Sequence, residues 1–225
     1  MQLNYLKLSA GGHASPAEGA CVMELVSHVM GCGWTDSPPC TSRALAAFCR
    51  RLNDGLNDSD RQRLLPYLAR IAGANGTVEQ ELMVGYIGAD YCARVFCPFI
   101  LDLVNPGNEH AGLLRSLPPV LCEESAAEAA RAAWAARAAR AAEAAWAAWP
   151  ARAAWAAGAA WAAEAAEAAR AAWAAEAARA AMVDLQFECL EAMLAVFEVS
   201  PDSEQGILDR LTNAPVPDGL ALLPV

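Results

Sequence analysis

The sequence predicts an all-α protein, and three features carry that prediction. Apolar residues recur at intervals of three and four through much of the chain, which is typical of helices with one buried side. Ser, Thr or Asp precedes several of these stretches and Gly or Pro follows them, as at helix ends. Residues 125–182 repeat Ala-Ala-X without a change of phase, and alanine is the strongest helix former.

We call residues 124–182 the Ala-Ala-X array, and its helix type decides where the marker residues X point. An α-helix turns about 100° per residue, so successive markers drift around its axis. A 3-10 helix has about three residues per turn and would align all markers in one row. The helix propensity of alanine favours α, whereas the strict phase of irregularly ordered markers favours 3-10. The prediction is an α-helix, with an extended 3-10 helix as the alternative.

The markers of the array predict an interaction surface. Alanine faces let helices approach closely, and Trp and Arg are the side chains that dominate binding energy at interfaces. So many tryptophans on an isolated rod would also expose a large apolar area. The predicted interaction residues are Trp134, Trp146, Trp149, Arg152, Trp155, Trp161 and Trp173.

The first predicted helix follows a loose N-terminal arm, residues 1–14. Ser15 and Glu18 have the spacing of a capping box, and an apolar stripe runs from there to Gly31. The expected helix therefore begins next to Ser15 and ends at Gly31.

Two more helices are predicted before residue 74. Thr41 or Ser42 caps the first of them, and a polar turn at Gly55 ends it. Residues 58–59 open the second, in which Pro66 produces a kink or marks the true first turn.

A fourth helix begins at a second capping box, formed by Thr77 and Gln80. Its apolar pattern runs to Phe96, and Pro98 is expected to separate it from a short turn that follows. After Met182 the helical apolar spacing returns, which predicts a C-terminal amphipathic helix. The predicted organisation is an N-terminal helical domain at 1–123, the array at 124–182, C-terminal helices at 183–213 and a flexible tail at 214–225.

Charge and composition limit the classes of function. The formal net charge is −10, and such an acidic chain lacks the clustered Lys and Arg that nucleic-acid phosphates need. The array carries a charge every few residues, so it is not expected to enter a membrane, and the N-terminus lacks the apolar core of a signal peptide. We expect a cytoplasmic protein whose eight cysteines are mostly buried free thiols, with no nucleic acid, membrane or cofactor as partner.

Candidate chemistry is sparse. His28 and Cys32 are four residues apart and Cys40 follows nearby, which suggests a metal or thiol site. The spacings match no zinc-finger pattern, and buried thiols with a surface histidine explain them as well. Glu24 and Asp36 are a candidate acid pair, although capping and solvation explain them more simply.

A resemblance to a known family is carried by five short segments and the array: Ala20–Val26, Trp34–Cys40, Leu45–Phe48, Arg51–Asp54, Gln62–Tyr67 and the array itself. These parts of the chain resemble an uncharacterised family of hypothetical proteins from high-GC, actinobacterial-type bacteria and their phages. The resemblance covers most of residues 16–200 and implies a fold without an assigned activity. Ser37 departs from it, because a His often stands at that position in the family.

The function that these observations favour is structural: self-association or binding of a protein partner through the array. The alternative is a small metal- or thiol-dependent enzyme that uses the region of His28, Cys32 and Cys40.

Overall fold

Helices build the protein, and the residues that the structure describes contain no β-strand. The computed structural model describes residues 7–104, 106–138, 176–197, 205–207 and 209. The all-α prediction is confirmed. The helices are α1 (Val22–Val29), α2 (Arg43–Gly55), α3 (Asp58–Gln62), α4 (Leu68–Gly73), α5 (Val78–Tyr91), α6 (Cys97–Val104), α7 (Glu109–Arg115), α8 (Glu123–Ala138) and α9 (Glu176–Leu194).

The first helix begins seven residues later than Ser15, so the capping box predicted at Ser15 and Glu18 is wrong. Cys21 is the N-cap: its Sγ accepts a hydrogen bond from the Glu24 N–H (3.4 Å), and the Glu24 carboxylate accepts one from the Cys21 N–H (2.7 Å). Gly19 stands between the two candidate starts with φ of 134°, a conformation that an α-helix does not contain. Ser15 therefore starts only a local turn.

The N-terminal arm is held at residues 7–14, contrary to the expectation of a loose segment. Leu8 is fully buried. The Gln62 side chain bonds both the N–H and the carbonyl of Leu8 (2.8 and 3.1 Å), and the Asn53 amide donates to the Ser9 carbonyl (2.8 Å). These partners lie more than 40 residues away in the sequence, and local patterns do not reveal them.

The second and third predicted helices are confirmed with refined ends. Ser42, rather than Thr41, caps α2, since its hydroxyl accepts from the Leu45 N–H (3.2 Å). Pro66 lies in a 3-10 turn, Leu65–Tyr67, which separates α3 from α4. The break follows from the missing N–H of proline.

The capping box at Thr77 and Gln80 is confirmed at the start of α5. Gly76 makes room for it, because a Cβ there would lie only 2.1 Å from Gln80 Oε1. The predicted break at Pro98 is wrong: α5 continues into α6 through a π-helical turn, Cys92–Phe96. There the Cys97 N–H donates to the Cys92 carbonyl, five residues back. A π turn of this kind shifts the hydrogen-bond register just before a proline that can donate none.

This continuous helical stretch is also the one segment of the described residues that is long and apolar enough to cross a membrane. It spans Val78–Leu103, and 56% of its most apolar 18-residue stretch is buried inside the protein. Buried core helices meet the same criterion, so the expectation of no membrane partner stays a prediction.

A single core joins α9 to the N-terminal helices. Met182, Phe187, Leu190 and Met193 of α9 are buried in the same cluster as Phe48 of α2. Ion pairs reinforce the contact across the surface: Arg63 with Asp184 (2.8 Å) and Arg70 with Glu191 (2.6 Å). The predicted C-terminal amphipathic helix thus packs on the N-terminal body, and its apolar side closes the core.

Both described ends of the array are α-helical. Residues 124–138 belong to α8 and residues 176–182 to α9. Residues 139–175 and the tail at 214–225 lie outside the described residues, so the choice between α and 3-10 stays open for the middle of the array.

Candidate interaction surface

Most of the predicted interaction residues lie outside the residues that the structure describes. Trp134 lies on the backbone of α8, and its side chain is not among those described. Trp146, Trp149, Arg152, Trp155, Trp161 and Trp173 lie in the undescribed segment 139–175. The interaction role of these residues therefore stays a prediction. The structure describes how the array packs only at its first Ala-Ala-X triplets.

In those first triplets the alanines are buried and the charged markers are exposed. Ala126, Ala129 and Ala133 are 3%, 4% and 2% exposed, whereas Glu128 and Arg131 face solvent. An α-helix with apolar positions at intervals of three and four residues packs in this way. The array thus uses its alanine positions as a packing surface where it begins.

The surface that these alanines contact also consists mainly of small side chains. Ala89 of α5 and Ala93 of the π turn form one cluster with Ala126, Ala129 and Val120. Alanines on both sides let the two helix backbones approach closely. The approach to α8 is anchored by a hydrogen bond from the Val120 N–H to Asp90 Oδ1 (2.9 Å), and Asp90 is itself held by Arg94 (3.0 Å).

Ala89 and Ala93 are the covered end of a longer stripe on α5. Its residues fall within about 100° of the helix circumference at about 100° per residue. We call this set the α5 stripe: Val78, Leu82, Gly85, Tyr86, Ala89 and Ala93.

The other half of the α5 stripe is bare. Val78 is 72% exposed and Leu82 is 53% exposed, and a Cβ built on Gly85 would meet no atom within 4 Å. Val84, on another side of the same helix, is fully buried in the core. Helix α5 is thus apolar on two sides, and none of the described residues covers one of these sides along its first two turns.

Neighbouring elements fix the bare half in place. The Gln80 side chain donates to the Val196 carbonyl after α9 (3.0 Å), and Glu81 Oε1 accepts from the Ala44 N–H at the start of α2 (2.7 Å). The N-terminal end of α5 is therefore tied to two other helices. A surface that is already ordered loses little conformational entropy when a partner binds.

The predicted metal or thiol site is assembled only in part. The thiols of Cys32 and Cys40 are neighbours, whereas the His28 ring packs edge-on against Trp34, with 6.2 Å between the ring centroids. Among the described residues, no group of three or more His, Cys, Asp or Glu side chains could hold a metal ion. Burial, and then a hydrogen bond shared with Cys32 that favours the protonated thiol, raises the pKa of Cys40 to about 11. The Cys40 thiol is therefore protonated near neutral pH. A cysteine acts as a nucleophile only as the thiolate, so this pKa does not favour a reactive Cys40.

Four of the other cysteines are buried and have raised thiol pKa values. All eight are free thiols. Burial raises the pKa of Cys21 to about 12 and raises those of Cys49, Cys92 and Cys189 as well. Buried thiols of this kind behave as small apolar side chains.

The two carboxylates of the candidate acid pair both lie near Gly12, where a Cβ would be 3.7 Å from Asp36 Oδ2 and 3.9 Å from Glu24 Oε1, but their polar partners differ. Glu24 is 1% exposed and accepts hydrogen bonds from the His13 N–H (2.6 Å), the His13 ring (2.8 Å) and the Cys21 N–H (2.7 Å). Asp36 is half-exposed and lies beside Arg50, with 3.9 Å between Oδ2 and Nε. Glu24 thus fastens the arm to α1, which is a structural role.

His13 is the residue of this cluster that the sequence did not single out. Its carbonyl also accepts from the Trp34 indole N–H (3.0 Å), so it links the arm to the loop before α2. The available signal was Glu24 itself, a carboxylate inside the apolar run from Cys21 to Val26. A charge buried in such a run requires a polar partner, although the pattern does not say which one.

Comparisons of the chain with protein-family models, curated proteins and solved structures found no match. The resemblance to the actinobacterial family stays a prediction, and the site's own geometry is the basis for a function.

Proposed function

We propose that this protein is a structural interaction protein that associates with copies of itself through the Ala-Ala-X array. The observation that carries the proposal is the burial of Ala126 and Ala129 against Ala89 and Ala93. The array's repeating alanine face is a helix-packing surface at its first triplets, and the repeat continues to residue 182.

Composition supports the same proposal. The array holds six of the seven tryptophans of the chain, and each can bury roughly 150–250 Å² at an interface. Its six Arg and six Glu cancel, so the net charge of −10 lies in the rest of the chain. A nearly neutral, Trp-bearing segment attached to an acidic body is suited to protein–protein contact. Exclusion of nucleic acid and location in the cytoplasm remain predictions.

Sedimentation velocity across a wide concentration range tests the proposal. We expect the wild-type protein to shift towards a dimer or larger species as concentration rises. The variant Trp146→Ala/Trp155→Ala/Trp161→Ala should remain monomeric, because alanine keeps the helix propensity of the array and removes its binding side chains. The matched control Glu164→Ala/Glu167→Ala should associate like the wild type. A wild-type protein that is monomeric at every concentration would contradict the proposal.

The enzyme alternative at His28, Cys32 and Cys40 is tested on the same preparation. Elemental analysis that finds about one zinc per chain, lost in Cys32→Ser, would favour it over self-association as the primary role. Metal-free protein that still associates would favour the interaction role.

A further inference from the structure

We propose that the bare half of the α5 stripe, formed by Val78, Leu82 and Gly85, is the docking site for the Ala-Ala-X array of a second copy. This inference rests on the proposed function, since it names the surface that receives the array.

The first argument is continuity with the contact already formed within the chain. The covered half of the stripe, Ala89 and Ala93, packs against the alanine face of α8, and α8 is the beginning of the array. The bare half continues the same side of α5. A surface that accepts one stretch of Ala-Ala-X is thus extended by two helical turns that no described residue covers, and these turns can accept another stretch.

The second argument is the shape of the bare half. Gly85 has open space above its Cα, and the exposed Val78 and Leu82 precede it by seven and three residues. A helix with alanines on its contacting side can approach closely at glycine and pack its methyl groups between larger apolar side chains. The array supplies alanines on every side of an α-helix, because two of each three residues are Ala.

The third argument is charge. Glu79 is exposed beside the stripe in the first turn of α5, and the array carries six Arg markers. An Arg marker of a docked array can pair with Glu79 at the rim, while the alanines fill the apolar centre. Rim charges of opposite sign steer and orient such a contact.

The path of the chain favours the array of a second copy, rather than the molecule's own array, as the segment that docks on the bare half of the α5 stripe. Helix α9 has its C-terminal end beside Gln80. Helix α9 is 19 residues long, or about 28 Å at 1.5 Å per residue, so its start at Glu176, where the array rejoins the body, lies far from Gln80. A molecule's own array must return to that distant point, whereas the array of a second copy is not constrained in this way.

Two substitutions on the bare half test the docking site without disturbing the core. Leu82→Glu places a charge in the proposed apolar centre, and Gly85→Trp fills the open space above α5. We expect each to raise the dissociation constant of the self-associated species about tenfold or more. Leu113→Glu is the matched control, because Leu113 is 60% exposed on α7, outside the stripe; it should associate like the wild type. Thermal unfolding of each variant checks that the fold is retained.

A mixing experiment distinguishes a second copy from the molecule's own array. Leu82→Glu chains keep an intact array, and chains of the triple Trp→Ala variant keep an intact stripe. If docking occurs between copies, the two variants should form a mixed dimer in sedimentation although each alone is monomeric. Absence of a mixed dimer would overturn docking between copies.

The outcomes also separate this inference from the proposed function. Wild-type association that persists unchanged in both Leu82→Glu and Gly85→Trp would overturn the α5 docking site and leave self-association intact. A monomeric wild type would contradict both.

Discussion

The N-terminal body and the array are stabilised in different ways. In the body, individual polar side chains fix the position of each segment: Glu24 holds the arm, and Arg61 donates to the carbonyls of Asn53 (2.8 Å) and Leu56 (2.5 Å). In the described part of α8, contact depends on small apolar side chains that recur every few residues. Specific polar contacts allow the helices of the body to pack in only one register. An alanine face can pack in many similar registers, so the partner surface must determine which one forms.

The largest effect that tests this contrast is expected from the core of the body. Phe48 is fully buried, so Phe48→Ala should lower the free energy of unfolding by about 3–5 kcal/mol through lost burial and the cavity left behind. Urea denaturation of the monomer measures this loss. The companion variant Trp149→Ala should leave monomer stability nearly unchanged and weaken only association. Equal destabilisation by both substitutions would show that the array is part of the folded body.

An intermediate effect is expected where the arm meets the body. Glu24→Ala removes the acceptor of three hydrogen bonds and leaves the N–H groups of His13 and Cys21 without that partner. We expect a loss of about 2–3 kcal/mol in the free energy of unfolding, together with faster amide exchange in residues 8–13.

Glu18→Ala is the control for this experiment. Its carboxylate accepts a single exposed hydrogen bond, from the Ala14 N–H (3.0 Å), so its loss should be small. A Glu24→Ala protein as stable as the control would mean that the arm is held by Leu8, Asn53 and Gln62 alone.

The same contrast explains which parts of the fold were predictable. Helix class and the caps at Ser42 and Thr77 depend on residues within one turn, and these were predicted from local spacing. The predictions at Ser15 and Pro98 were wrong because the conformation of neighbouring backbone outweighed the residue signals: the turn at Gly19 delays α1, and a π turn carries the helix through Pro98.

The candidate site was predictable only as a class of surface. The alanine repeat indicated helix packing, and the described part of α8 packs through its alanines. The bare half of the α5 stripe could not be inferred, because Val78, Leu82 and Val84 are all apolar in the sequence. Only the tertiary arrangement decides that Val84 is buried while the other two are exposed.

The smallest expected effect concerns an exposed carboxylate in the body and has a defined pH dependence. Asp58 accepts a hydrogen bond from Arg61 Nη1 (2.6 Å). This bond, followed by the positive charge of Arg61, lowers the pKa of Asp58 below its ordinary value of 3.8. A lowered pKa in the folded state means that the contribution to stability is fully present above about pH 4 and is lost as the pH falls through the lowered value. Because the Asp58 side chain is 78% exposed, solvent screening keeps the contribution small. Asp58→Asn should therefore lower the melting temperature slightly at pH 7, and the difference from the wild type should vanish near pH 2. A difference that is the same at both pH values would mean that the Arg61 contact does not depend on the carboxylate's charge.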